Sequence, residues 1–396
     1  NILELCFFLY ILGSYTVPMM GWNNIFLQAP LYLFVIFTWL TLLVKYGNLD
    51  QRFFWWYLLF VVFCLFSILY SVSFSASTEM VSYLVTAFAL GISFYVFLEY
   101  ETSYRVIKYS YILVSIIVGA YLISNFSQAH WWSRLGESFG MNENMVALYF
   151  LIPLCFAISE IYESRAVILN LIAIGISLIV ILLSGSKKAL FAVFIYGVVF
   201  YLLKSNGIGK KAKIIIMSII AIFIAYQVIM KIPLLYNIMG YRLEAMFETF
   251  QTNSFGNVGS STAERGDMIR YGFKFLLASP LFGHGINSFK ELYGAITNHY
   301  AYAHNNYIEI LTDLGIIGFL LYYSLHFSII KRITCMDKRM RQYYADMIAF
   351  ICVILFFDIA MVTYYDTRII LILSIVFKKI VIESPFLEKN SNNLLF

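Results

Sequence analysis

The sequence predicts an all-α, polytopic membrane protein of about twelve transmembrane helices with a helical extracytoplasmic loop. Two observations predict it. Apolar residues make up 61% of the 396-residue chain and charged residues 12%, with a mean hydropathy of +0.81. A soluble globular chain carries roughly 25% charge. The apolar residues also gather into runs near the length of about 20 that a bilayer core requires.

The runs lie near 2–20, 26–46, 53–72, 78–98, 106–126, 144–160, 166–184, 186–203, 213–230, 306–329, 343–361 and 367–382. They leave no room for a separate soluble domain. Residues 1–396 therefore read as a single transmembrane domain, with 231–304 as a large extracytoplasmic loop within it. The chain opens at Asn1 rather than at a methionine, so a few leading residues are expected ahead of it. No cleavable signal peptide is apparent, and the first run is expected to act as its own insertion signal.

Orientation follows from lysine and arginine, which concentrate in short cytoplasmic loops. One set of loops holds 17 of the 27, and the short turns of the other set hold Arg134, Lys187, Lys188 and Arg368. This bias places both termini in the cytoplasm and the long loop outside. The net charge of +5 reflects it and is no argument for nucleic acid. Four of the five cysteines, Cys6, Cys64, Cys155 and Cys352, fall in apolar runs and Cys335 in a cytoplasmic loop, so no disulfide framework is expected.

Residues 231–304 read as two short helices joined by a flexible link. Leu235, Met239, Leu243, Met246 and Phe250 form one apolar stripe at helical period, which suits a membrane surface. Arg242, Glu244 and Glu248 lie off it. The link at 253–260 is rich in turn residues. Ser261-Thr262-Ala263-Glu264 then has the capping-box form. Arg265 follows in the first turn of the next helix, where a cation opposes the dipole. It reads either as part of an anion site or as a surface residue paired with Glu264 or Asp267.

Arg134 sits beside Trp131 and Trp132, which read as interfacial anchors or as a sugar platform. Lys187 and Lys188 sit in a turn too tight to leave the membrane far behind, where charges are costly and usually mark substrate paths. Snorkelling to the headgroups is the bland alternative. With Arg242 and Arg265 these are outward-facing cations suited to a diphosphate, which guanidinium binds in bidentate fashion and lysine as a point charge. Arg368 has a partner in Asp366. His304 is the best base candidate, since imidazole titrates near 6.5 when unperturbed and Asn305 and Asn306 follow it at the start of an apolar run. His284, in Gly283-His284-Gly285, reads as a mobile turn able to touch sugar. His130 and His299 read as interfacial and His326 as structural. Asn305, Glu309 and Asp313 share one helix face, and Glu309 is either a rival base or the residue that orients His304. Asp346 and Asp358 are intramembrane acids that suit a proton-coupled transporter equally well. No spacing resembles a metal site.

Three stretches carry a family resemblance. They are Arg134-Leu135-Gly136 through Asn142-Glu143-Asn144-Met145-Val146-Ala147; Ser184-Gly185-Ser186-Lys187; and Ser279-Pro280-Leu281-Phe282-Gly283-His284-Gly285, followed by His304-Asn305, Glu309, Gly315 and Gly318. In this order they resemble the O-antigen polymerase and ligase superfamily of Wzy- and WaaL-like integral membrane glycosyltransferases, over roughly residues 130–320. Lys187 stands where many members have arginine, which keeps the charge and loses the bidentate fork.

The resemblance implies a GT-C-like enzyme in the bacterial cytoplasmic (inner) membrane, with its active site facing the periplasm. It would act on undecaprenyl-diphosphate-linked glycan, as donor and as acceptor, without metal or cofactor and with inversion. In that mechanism His304 serves as base, and Arg265, Arg134 and Lys187 stabilise the leaving diphosphate. Lys188, Arg242, His284, Asn305 and Glu309 would contact substrate. A polymerase of repeat units for O-antigen, capsule or exopolysaccharide is the first choice, with a chain-length regulator, a flippase and membrane lipid as partners. A ligase that transfers glycan to lipid A core is the alternative within the class, and a flippase or transporter the alternative outside it.

Overall fold

A computed structural model of the protein describes residues 2–21, 25–45, 49–127, 133–252, 261–385 and 387. Each of the twelve apolar runs is a helix. In order they are α1 (Ile2–Met20), α2 (Ile25–Lys45), α3 (Arg52–Ser67), α4 (Phe74–Phe97), α5 (Ser103–Ser124), α6 (Glu143–Tyr162), α7 (Val167–Leu183), α8 (Lys187–Lys204), α9 (Ile208–Lys231), α14 (Asn306–Cys335), α16 (Ala345–Ala360) and α17 (Thr367–Phe377). Between them lie the single turn α10 (Pro233–Leu235), α11 (Tyr241–Thr252), α12 (Ser261–Ala278), α13 (Phe289–Thr297) and α15 (Lys338–Tyr343). Among the described residues, eight helices are long and apolar enough to cross a membrane. The others fall short for physical reasons: α7 has 17 residues, α16 has 16, α17 has 11 before a π-helical continuation, and α8 carries Lys187, Lys188 and Lys204. No strand forms among the described residues, and the five cysteines are free.

Residues 1–40 and 97–247 form one compact unit. Within it α1 packs on α5, and α5, α6 and α7 pack on one another. Gly119 permits the close approach, since a Cβ there would lie 2.3 Å from Ile176 and 2.8 Å from Phe150. Lys108 of α5 and Glu160 of α6 form a buried ion pair, and the Tyr109 hydroxyl donates to Glu160 at 3.0 Å. Losing the Glu160 carboxylate would strand the buried Lys108 ammonium, while Glu160 also has Arg165 at 3.8 Å. Helix α9 exposes Ile215, Ile216, Ile219 and Phe223 along its length, the composition of a helix facing hydrocarbon. The stripe expected on a membrane surface behaves differently. Met239 and Leu243 are buried with Ile229 and pack against Leu182 and Leu190. An apolar stripe next to apolar helices finds protein first. The side chains of Met246, Glu248 and Phe250 lie outside the described residues, as do the link at 253–260, His130, Trp131 and Trp132.

Residues 41–96 and 248–396 form the second unit, organised by a break in α14. Gly315 has φ 64° and ψ −168° inside an otherwise continuous helix. A break in a helix strands carbonyls before it and N–H groups after it, and hydrocarbon cannot satisfy them. Residues 279–289 answer four of these groups. His284 N–H donates to the Thr312 carbonyl at 3.1 Å and Gly285 N–H to that of Asp313 at 2.8 Å. Ile316 and Ile317 N–H donate to the carbonyls of Pro280 and Leu281 at 2.9 and 3.2 Å. The Asp313 carboxylate takes the N–H groups of Asn287, Ser288 and Phe289 at 2.8, 3.0 and 2.8 Å. The resulting turn starts α13, a third helix where the sequence predicts two. Its Phe289 and Tyr293 pack on Phe275 and Tyr271 of α12. Nine residues that include Gly294 are too few for their period to register.

The lock requires glycine twice. A Cβ on Gly315 would lie 2.4 Å from the Leu281 carbonyl, and one on Gly283 would lie 2.4 Å from that of Asp313. The backbone region of Gly315 also costs other residues about 1–3 kcal/mol. Gly315→Ala is expected to lower the thermal midpoint of the detergent-solubilised protein by several degrees. Gly197→Ala, where a Cβ meets nothing within 4 Å, should not. Equal midpoints for the two variants would refute the lock.

Candidate functional site

The polar residues singled out in the sequence fall into two groups, one in each unit. In the first unit they surround the Ser184–Lys187 turn. Gly185, at φ +64°, has no room for a side chain: a Cβ would lie 2.8 Å from Arg134 Cδ and 3.0 Å from the Ile238 carbonyl. Leu135 N–H donates to the Leu183 carbonyl at 2.9 Å. Ser186 caps α8 and donates to Asn144 Oδ1 at 2.9 Å, while Asn142 caps α6. The Lys187 ammonium donates to the Arg242 carbonyl at 3.2 Å. Arg134, Lys187 and the Arg242 backbone are thus gathered on one turn, with Lys188 next in the chain. Arg134 is not a bare cation. It pairs with Glu143 at 2.5 Å and with Glu137 at 3.7 Å. Two carboxylates around one guanidinium hold its position and reduce its net charge.

In the second unit the group forms at the mouth of α14. Asn305 caps the helix, its Oδ1 accepting Ile308 N–H at 3.1 Å. Glu309 is 2% exposed, and its Oε2 accepts Ala303 N–H at 2.6 Å. Asn306 is buried and tied through both ends of its amide. Its amide donates to the Tyr323 hydroxyl at 2.9 Å and accepts Thr363 and Tyr364 N–H at 2.9 and 3.2 Å. Tyr323 donates to Asp358 at 3.0 Å, and Thr363 donates to the same carboxylate. Asp358 therefore serves as an anchor between α14 and the end of α16. Arg368 pairs with Asp366. Held between these ties, His304 sits half-buried with φ 52°. A non-glycine residue in that region is strained, and such strain clusters at functional sites. Its ring lies 4.1 Å, centroid to centroid, from that of Tyr302.

Arg265, the fifth residue of α12, stands within electrostatic range of Tyr302 of the same group. Its two expected partners are engaged elsewhere, Glu264 with His299 at 2.7 Å and Asp267 with Arg270 at 3.0 Å. Among the described residues no carboxylate pairs with Arg265, although it is half-buried. Burial pushes its guanidinium down from the ordinary value, against the upward pull of Tyr302 and Glu264. Arginine stays charged under such a shift, so a cation is held here with its hydrogen-bonding capacity in reserve. The Ser261 side chain of the expected capping box lies outside the described residues.

His284 is not in a mobile turn. Its Nε2 lies 2.8 Å from the Phe275 carbonyl, its N–H is tied to Thr312, and its carbonyl accepts Val72 N–H at 3.2 Å. The face shared by Asn305, Glu309 and Asp313 is a row of backbone ties, because each side chain binds main-chain N–H groups. Sequence reasoning passed over Tyr302, one of 31 tyrosines in the chain. Its only signal was its place two residues before His304. Among the described residues no three His, Cys, Asp or Glu side chains gather as a metal-ligand set.

Residues 172–323 match the family described as O-antigen ligase. Over this stretch, under half of its length, the chain is similar to the O-antigen polymerase and ligase superfamily. The match takes in Lys187, Arg242, Arg265, His284, His304 and Glu309, and ends within α14. No curated protein matches the chain. The protein is thus a multi-pass membrane protein with a segment similar to a family of membrane glycosyltransferase-like enzymes, a family that acts on lipid-linked glycans.

The Glu309 tie yields a test of role. Glu309→Gln keeps a carbonyl oxygen for Ala303 N–H and is expected to keep most glycan transfer. Glu309→Ala strands a buried N–H, at a cost of about 1–3 kcal/mol, and should lose both transfer and thermal stability. If glutamine proves as inactive as alanine at wild-type stability, Glu309 is the proton acceptor.

Proposed function

We propose that this protein is a polymerase that joins undecaprenyl-diphosphate-linked oligosaccharide repeat units at the outer face of the bacterial cytoplasmic membrane. The observation that carries the reading is Arg265, a half-buried guanidinium that no described carboxylate neutralises, in a group with Tyr302, His304 and Glu309. A site of this kind suits an anion with several oxygens.

The chemistry follows from the residues. An acceptor hydroxyl attacks the anomeric carbon of the donor glycan, and the bond from that carbon to the diphosphate oxygen breaks. His304 takes the hydroxyl proton. Arg265 stabilises the charge that grows on the departing diphosphate. The displacement inverts the anomeric centre. Arg134 and Lys187, with Lys188 beside them, are assigned to holding anionic groups. Arg134 does so through a geometry fixed by Glu143, and Lys187 through a charge anchored on the Arg242 carbonyl.

The first unit also holds an apolar hollow of about 390 Å³ lined by Ile158, Phe194, Gly197, Tyr201, Ile214 and Met217. Lys187, Phe194, Gly197 and Tyr201 follow one another at helical spacing on one face of α8. A cationic end followed by a hydrocarbon wall supports a lipid-linked anion as substrate. The lysine and arginine bias supports an outward-facing site with both termini in the cytoplasm.

The description of the matching family as O-antigen ligase favours a second reading, in which finished glycan passes to a lipid A core acceptor. Purified protein given only undecaprenyl-diphosphate-linked repeat units is expected to produce a ladder of lengthening products. Transfer seen only when a lipid A core acceptor is added would establish the ligase, and no transfer to either would refute both.

Two substitutions test the roles. Arg265→Ala is expected to lower turnover by about 10²–10³-fold with normal membrane insertion, and Arg265→Lys to restore part of it, since the charge returns without the fork. His304→Gln should lose about 10²–10⁴-fold while donor binding persists. Wild-type product lengths from Arg265→Ala would remove it from the site, and an active His304→Gln would reduce His304 to a positioning role.

A further inference from the structure

Tyr302 occupies a distinctive position in the second unit. It precedes Ala303, whose N–H is pinned by the buried Glu309 carboxylate at 2.6 Å. Asn305 is pinned on the other side as the cap of α14. The backbone on both sides of His304 is therefore fixed, with His304 itself at φ 52°. The consequence is the ring contact at 4.1 Å and 47° between Tyr302 and His304. An imidazole fixed only at its backbone would still rotate about its side-chain bonds. An aromatic face against it removes much of that freedom.

The other end of Tyr302 is different. The residue is 38% exposed, and its hydroxyl forms no hydrogen bond among the described residues. It stands within electrostatic range of both Arg265 and Glu309. Burial pushes the phenol up from its ordinary value, Arg265 pulls it down, and Glu309 pushes it up again. The phenol therefore keeps its proton at neutral pH and is a hydrogen-bond donor. A neutral donor beside a guanidinium that no carboxylate pairs with among the described residues extends the same anion-binding surface.

We propose that Tyr302 is a second anion-recognition residue and the brace of His304: its hydroxyl donates to the diphosphate held by Arg265, and its ring fixes the imidazole that takes the proton. This rests on the reading of the substrate as a lipid-linked diphosphate. The two halves of the side chain separate by substitution. Tyr302→Phe keeps the ring and removes the donor. Tyr302→Leu removes both while keeping apolar bulk.

The experiment uses the full chain in nanodiscs, with undecaprenyl diphosphate alone as the binding probe and lipid-linked repeat units for turnover. Tyr302→Phe is expected to weaken undecaprenyl diphosphate binding and raise the donor KM by about tenfold or more, the usual worth of a hydrogen bond to a charged group, with kcat little changed. Tyr302→Leu should show the same binding loss and a further fall in kcat. That further fall should vanish in a His304→Gln background, since residues acting through one another are not additive. Unchanged binding in Tyr302→Phe overturns the recognition role. A kcat fall in Tyr302→Leu that persists in the His304→Gln background, or no fall at all, overturns the brace. Because the binding arm needs no transfer, a wild-type protein that binds undecaprenyl diphosphate without transferring glycan would refute the polymerase reading and leave the hydroxyl's role intact.

Discussion

Backbone polar groups inside a membrane must be satisfied by protein, and the second unit depends on that constraint at Gly315. The helix breaks there, and residues 279–289 supply partners for the groups set loose on both sides. One carboxylate, Asp313, closes the arrangement by taking three successive N–H groups. Irregular backbone at membrane depth is tolerated when protein buries it in this way. The first nine residues of α14 thus become a short, rigid rod, anchored below by the lock and above by the Asn306 ties to residues 363 and 364. His304 is mounted on the end of that rod.

The charges around the two groups divide by what they touch. Glu309, Asp313 and Asp358 spend their oxygens on backbone N–H groups or on hydroxyls within the fold. Arg134 is held by two glutamates. Arg265 is buried halfway with no carboxylate paired to it among the described residues, which is why the functional reading rests on it rather than on the number of positive residues. Coulomb attraction for an anion is stronger at a site of reduced dielectric, so a half-buried guanidinium with no carboxylate paired to it weighs more than one already held by glutamates.

Much of the architecture was legible in the sequence because hydrophobic length and period are local properties. All twelve runs became helices, with ends close to those expected, and α11 and α12 also formed as the period indicated. The spans that fall short do so through residues visible in the chain, such as the three lysines of α8. Partnership was not legible. No local pattern shows that the stripe of Met239 and Leu243 meets Leu182 and Leu190, that Glu137 and Glu143 close on Arg134, or that His284 is tied to Phe275 and Thr312. The glycines at 283 and 315 were visible as motif positions, but their reason is a contact between backbones 32 residues apart. Tyr302 was illegible for another cause, since one tyrosine among many carries no signal until its neighbours are in place.

The pairing of Gly283 with Gly315 has a consequence for how such a chain changes over generations. Each residue lacks a side chain because the other's backbone stands where that side chain would go. Neither can be enlarged alone, and enlarging both makes matters worse, so no compensating partner exists within the pair. Most packing contacts drift by exchanging volume from one side to the other. This contact has no volume to exchange. Variation is therefore diverted away from the pair, and between the two glycines a change of length is compatible with the contact only where it spares the ties at 284–289 and 303–313.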